Sequence, residues 1–138
     1  EHGMADKLHF SLVSPARELF SGEVDHVIAP GSDGEFGVLV NHAPFMTTLK
    51  NGVVRVEDGG ETTMRLFVRG GFADVTPAGL TILAEEAVNL ESVSIESVQK
   101  EYDEAHRALL AEGKDSSHAH ALEEQVAYLE SLKAALVN

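Results

Sequence analysis

Apolar and polar residues alternate with two different periods along this chain, and the period changes once. Short apolar-rich runs predict strands over 7–13, 23–29, 35–39, 45–49, 53–57, 62–68, 72–76 and 80–84. Turn residues punctuate them: Ser14-Pro15, Ser21-Gly22, Pro30-Gly31-Ser32-Asp33-Gly34, Asn51-Gly52, Asp58-Gly59-Gly60, Gly70-Gly71 and Pro77-Ala78-Gly79. Strands this closely set, with Gly-rich turns, predict an antiparallel sandwich or barrel. Val54 and Val56 share a face opposite Arg55 and Glu57, and Met64, Leu66 and Val68 oppose Thr63, Arg65, Phe67 and Arg69. Such alternation gives each strand one dry face and one wet face, as two stacked sheets require. Asp58-Gly59-Gly60 supplies residues that tolerate positive φ, so it predicts a tight hairpin between the two runs.

Past Asn89 the period becomes helical. Ile95, Val98, Tyr102, Ala105 and Leu109 follow 3, 4, 3, 4 spacing and fall on one stripe. Ser94 is placed to cap the first turn, Glu96 sits where the helix dipole favours an acid, and Gly113 stands where a helix-ending glycine would. A second stripe, Leu122, Val126, Leu129, Leu132 and Leu136, is entered through Ser116 or Ser117. The short link at 113–117 predicts an antiparallel helix hairpin. The boundary is expected near 88–92, giving a β-sandwich domain over 4–88 and a helix-hairpin domain over 89–138. Residues 1–3 read as a remnant of an expression tag.

At 138 residues and 14.8 kDa the chain has room for one domain with an appendage. Hydrophobic residues make up 43%, enough to build a core and to exclude disorder by composition. Ten bases against 23 acids give a net charge of -13, which repels phosphate backbones and anionic lipid. Nucleic-acid binding is therefore not expected. The hairpin is the more acidic part per residue, with 12 acids and 4 bases over 85–138. Cysteine is absent, so disulfides and thiolate chemistry are excluded. No apolar run reaches the roughly 18 residues of a membrane span, and neither membrane insertion nor a secretory signal is expected.

Candidate chemistry is sparse. The spacing Gly31, Gly34, Gly37 suggests a phosphate cradle, but no Lys-Ser/Thr follows, no helix begins there, and Asp33 and Glu35 would repel the anion. His42 has neither a nucleophile nor an acid partner nearby in sequence. His118 and His120 diverge by about 200° on a helix, so they do not share a metal. The adjacent pairs Glu85-Glu86, Asp103-Glu104 and Glu123-Glu124 read as solvated charge, because catalytic carboxylates must converge across a cleft. The expected function is binding or mechanical coupling, with no catalytic residues, no metal and no cofactor.

Several motifs resemble the epsilon-subunit family of bacterial F-type ATP synthases, called delta in mitochondria. They are 8–15 (Leu-His-Phe-Ser-Leu-Val-Ser-Pro), Phe20-Ser21-Gly22, Gly31 through Leu39 followed by Val40-Asn41-His42-Ala43-Pro44, Leu49-Lys50-Asn51-Gly52, Gly70-Gly71-Phe72, and Leu83 through Ala87. The resemblance implies an N-terminal sandwich of about ten short strands and a C-terminal helix hairpin, in line with the two periods. It implies a non-catalytic rotor subunit of the central stalk, gripping the gamma shaft and resting on the c-ring at the cytoplasmic face of the inner membrane. Gly34, Glu35, Gly37 and His42 would then form the edge that meets the c-ring; the alternative is that the glycines only make turns and Glu35 is solvated.

The hairpin of many members binds ATP through Ile/Leu-Asp-x-x-Arg-Ala. The matching positions here are Ile95, Glu96, Gln99 and Lys100, with Glu for Asp and Gln for Arg. Lys100 lies about 100° further round the helix and lacks the guanidinium fork, so ATP binding is not expected. Lys133 is the single base over 118–138, which makes regulation of hydrolysis through alpha/beta contacts a weak expectation. The rival reading is an independent sandwich module that docks a protein partner.

Overall fold

The computed structural model describes residues 7–113 and 116–137; the tag-like residues 1–3 lie outside these. Ten strands run in chain order as β1 (Leu8–Val13), β2 (Glu18–Val24), β3 (His26–Gly31), β4 (Gly34–Leu39), β5 (Phe45–Thr48), β6 (Gly52–Asp58), β7 (Glu61–Arg69), β8 (Phe72–Thr76), β9 (Gly79–Leu83) and β10 (Glu86–Asn89). They form two five-stranded sheets, ordered β2-β1-β9-β8-β5 and β10-β7-β6-β3-β4. Two helices follow, α1 (Ile95–Ala111) and α2 (Ser117–Val137). The fold divides into two units after Asn89.

The inward faces of the sheets make one core containing Phe10, Leu12, Val27, Val38, Val54, Val56, Val68, Val75 and Ile82. These side chains are essentially inaccessible, and the alternation read in β6 and β7 delivers them from every second position. The outer face of β7 is not uniformly wet, since Phe67 is 1% exposed. Gly59 and Gly60, at φ 65° and 83°, close the β6–β7 hairpin as a two-residue loop of the primed type.

Three features depart from the sequence reading. The run at 23–29 is two strands: Val24 ends β2 in one sheet, His26 begins β3 in the other, and Asp25 alone joins them. The short β10 pairs with β7, where the sequence showed only a boundary. The sheets are not wholly antiparallel either, because β1 runs parallel to β9. Almost the whole sandwich lies between those two strands in sequence, which is the long connection a parallel pair needs.

In the helical unit Ser94 caps α1, its Oγ accepting the Ser97 N–H at 3.2 Å. The described residues that are not exposed in α1 are the predicted stripe plus Gln99, and Val98 is the fully buried one. The C-cap is Glu112 in extended geometry, φ -87°, and Gly113 follows it at the position of a helix-ending glycine; the Glu112 N–H bonds the Leu109 carbonyl at 3.2 Å. Ser116 opens α2 by accepting the Ala119 N–H at 2.9 Å.

Candidate functional site

β4 is the edge of one sheet and β5 the edge of the other, so the turn between them closes the same side of the sandwich. Of the residues the motif singles out, Gly34, Glu35 and Gly37 stand on β4, not in a loop, and His42 stands in the turn. All four are exposed. Glu35 and Gly37 share the outward face, because Phe36 and Val38, which alternate with them, point inward to the core. The turn itself needs Asn41 at φ 66°, a left-handed value that Asn tolerates better than most residues. Its N-terminal end is fixed by the His42 N–H on the Leu39 carbonyl at 3.2 Å.

The charge of Glu35 is already engaged. Arg55 on β6 reaches across β3 and donates from Nη1 and Nη2 to the two carboxylate oxygens at 3.1 and 3.2 Å. Such fork-to-carboxylate pairing fixes orientation as well as charge. Gly37 leaves room for a neighbour: a Cβ there would stand 2.5 Å from Nε2 of His26, whose Nδ1 pairs with Glu57 at 3.2 Å. These glycine and carboxylate positions are thus part of one outward cluster, Glu35, Arg55, His26 and Glu57, spread over three strands.

His42 is held differently. Its Nδ1–H donates to the Ala43 carbonyl at 2.8 Å, and its ring lies 6.1 Å from that of Phe45. A groove of about 560 Å³ opens beside it, bounded by Leu39 through Pro44, by the start of β1 and by the β8–β9 turn. His9 on the opposite wall pairs through Nδ1 with Glu23 Oε2 at 2.7 Å. Sequence spacing joins none of these residues, which lie far apart in the chain. Among the described residues no group of three His, Asp or Glu side chains is arranged to hold a metal.

A second feature escaped the sequence reading. Phe72, Leu83 and Val13 are directly opposed across β8, β9 and β1, on the outward side of their sheet, since Ala73, Ile82 and Leu12 beside them are buried. Phe72 and Leu83 remain 42% and 36% exposed. An apolar row that crosses three strands on an outer face marks a candidate interaction surface. The registers, which the sequence does not give, create it.

On the hairpin, the four positions matching the ATP motif do not converge. Ile95 is half-buried, Glu96 and Lys100 are exposed, and the Gln99 amide donates to Asp103 at 2.9 Å.

Comparison with known proteins covers nearly all of the chain. The family model for the β-sandwich domain of the ATP synthase delta/epsilon chain matches residues 7–90. A protein of Hyphomonas neptunium named ATP synthase epsilon chain is 66% identical over 135 residues, which is 98% of this chain and all of that relative. The one from Caulobacter vibrioides is 71% identical over 82 residues, 94% of its own length but 59% of this chain. A chain in the Euglena gracilis mitochondrial ATP synthase, a structure of OSCP, F1 and c-ring, superposes with a TM-score of 0.77 at 28% identity, covering 95% of this chain and 82% of that one.

Proposed function

The chain belongs to the ATP synthase delta/epsilon family, and from that premise we propose that it is a non-catalytic rotor subunit of the central stalk. It couples rotation of a gamma-type shaft to a c-ring. The observation that carries the reading is the full-length likeness to proteins named ATP synthase epsilon chain, hairpin included. That likeness favours a subunit of the complex over an independent adaptor module. No described helix is long and apolar enough to cross a membrane, which is compatible with a peripheral place at the cytoplasmic face.

Two surfaces divide the work. The row Phe72, Leu83 and Val13 supplies apolar area for the shaft, because burying it is favourable by roughly 25 cal/mol per Å². The edge made by β4 and the β4–β5 turn, with Gly34, Glu35, Gly37 and His42, faces the c-ring. There Glu35 acts within its pair with Arg55, so the contact is a polar, orientation-dependent one and not a lone negative charge. Contact of the hairpin with the alpha/beta head, as a weak regulator of hydrolysis, belongs to the same reading.

The test is reconstitution. The full chain, added to a cognate complex depleted of its epsilon subunit in vesicles, is expected to restore ATP-driven proton pumping. Stable binding without restored pumping would refute the coupling role. The swap of Glu35→Arg with Arg55→Glu keeps the internal pair while exchanging the charges presented outward. Pumping is expected to fall with the swap, whereas unchanged pumping removes Glu35 from the contact.

A further inference from the structure

The groove beside His42 carries a chemistry that sequence spacing does not show. Its two histidines are held in the same tautomer. On His9 the Nδ1 meets Glu23 Oε2 at 2.7 Å, and on His42 the Nδ1 meets the Ala43 carbonyl at 2.8 Å. Carboxylate and carbonyl oxygens only accept, so in each neutral ring the hydrogen sits on Nδ1 and Nε2 is left as an acceptor. Both residues are exposed and both line the groove. At about 560 Å³ the groove has a ligand-sized volume. Its wall at His9 is fixed, since Gly79, at φ 138°, brings the β8–β9 turn so close to the His9 carbonyl that a Cβ would collide with it.

The charge around the groove has one prevailing sign. Among the described residues, the titratable side chains of the lining are Lys7, His9, Glu23 and His42. The Lys7 ammonium is already matched by two carboxylates, Asp25 at 3.0 Å and Asp58. With Glu23 added, three negative charges stand against one positive. Two imidazole acceptors also suit a transition metal, but no group of three His, Asp or Glu side chains is gathered to hold one among the described residues.

We propose that the groove is a receptor for an arginine side chain on a loop of a protein partner. A guanidinium carries five donors in one plane and no acceptor, so it can bond acceptors on more than one wall at once, and its charge complements the excess of carboxylates. Acid switches the binding off. Protonating His9 and His42 turns both Nε2 atoms into donors and adds two positive charges, which cancel the excess. His42 also belongs to the edge assigned above to the c-ring, but the inference concerns the groove alone and holds whichever partner supplies the arginine.

The test is NMR on the full chain, with the imidazole nitrogen shifts followed as N-acetyl-argininamide is added. At pH 8 both rings are expected as the Nδ1–H tautomer, and the probe should move both Nε2 signals saturably. The neutral isostere N-acetyl-citrullinamide should move neither, and at pH 5 the response to the arginine probe should vanish. His42→Phe, which keeps a ring beside Phe45, and Glu23→Gln should each weaken binding about 3- to 10-fold, the loss of one polar partner. Unchanged amide shifts in β6 and β7 show that each variant is folded. An Nε2–H tautomer in either ring, no saturable response, an equal response to the citrulline probe, or undiminished binding at pH 5 would each overturn the proposal.

Discussion

The sandwich and the hairpin are cut from one chain yet held together by different means. In the sandwich the inward side chains of both sheets form one cluster, and Phe10, Val27 and Val54 are completely inaccessible. In the hairpin α1 buries Val98 fully, and α2 buries Ala119, Tyr128, Leu129 and Leu132. A two-faced core resists local opening as a unit, whereas a seam opens at a cost set by a few contacts. The comparison teaches that one sequence can pair a rigid body with an adjustable one by changing its hydrophobic period.

The strongest way to break this contrast is to hollow the core. Phe10→Ala is expected to destabilise the sandwich by about 3–5 kcal/mol, since the phenyl ring packs against Phe20 at 5.5 Å and leaves a cavity that neighbours cannot fill. Denaturant unfolding, followed by a probe in β6, measures it; a loss comparable to that of an exposed residue would deny the sandwich its single core. Gly79→Ala comes next, at about 2 kcal/mol or more, because φ is 138° and a methyl there collides with the His9 carbonyl. The same unfolding experiment reads it.

Smaller effects sharpen the hairpin side. Ser94→Ala removes the acceptor for the Ser97 N–H and is expected to cost the first turn of α1 about 1 kcal/mol. Faster exchange confined to the start of α1, with β strands unchanged, is the signature. Equal loss in both units would mean that they open together.

The smallest predicted effect is electrostatic and lies in the sandwich. The Gly59 N–H bonds Asp25 at 2.8 Å and Lys7 pairs with it at 3.0 Å, and together, in that order, they hold its carboxyl below the usual range. Asp58 and then Asp25 raise the Lys7 ammonium. A lowered carboxyl stabilises the fold above the unfolded-state pKa near 3.9, and the gain disappears as pH falls through the folded value. A raised ammonium stabilises below about 10.4, and its gain disappears as pH rises through the folded value. Comparing Asp25→Asn with the unmodified chain, melting temperatures should differ modestly at pH 7 and converge at pH 2. A difference that persists at pH 2 would assign the effect to shape and not to charge.

How much of this was legible depends on where the information lies. The period switch, the Gly59-Gly60 hairpin and the Ser94 cap are local, and sequence shows them directly. The start of β2 was hidden because Ser21-Gly22 reads as a turn. In the fold Gly22 is a strand residue opposite Phe10, left small where the Phe20 ring packs. At the candidate site, the Gly-Glu-x-Gly and Asn-His-Ala-Pro motifs mark β4 and the following turn. The partnership of Glu35 with Arg55, like the row of Phe72, Leu83 and Val13, arises from strand registers between distant segments, and no spacing in the sequence encodes it.

The passage from β2 to β3 through Asp25 alone has a mechanical consequence. With one residue between the sheets, neither can slide along the other without stretching covalent bonds or tearing the links from Lys7 to Asp25 and Asp58, 3.0 and 2.5 Å long. A tangential load applied to one sheet therefore reaches the other through the backbone within a few ångströms, with little slack. The tie at Asp25 thus couples the two sheets at this corner of the sandwich, where a force entering on one sheet passes to the other by the shortest covalent route.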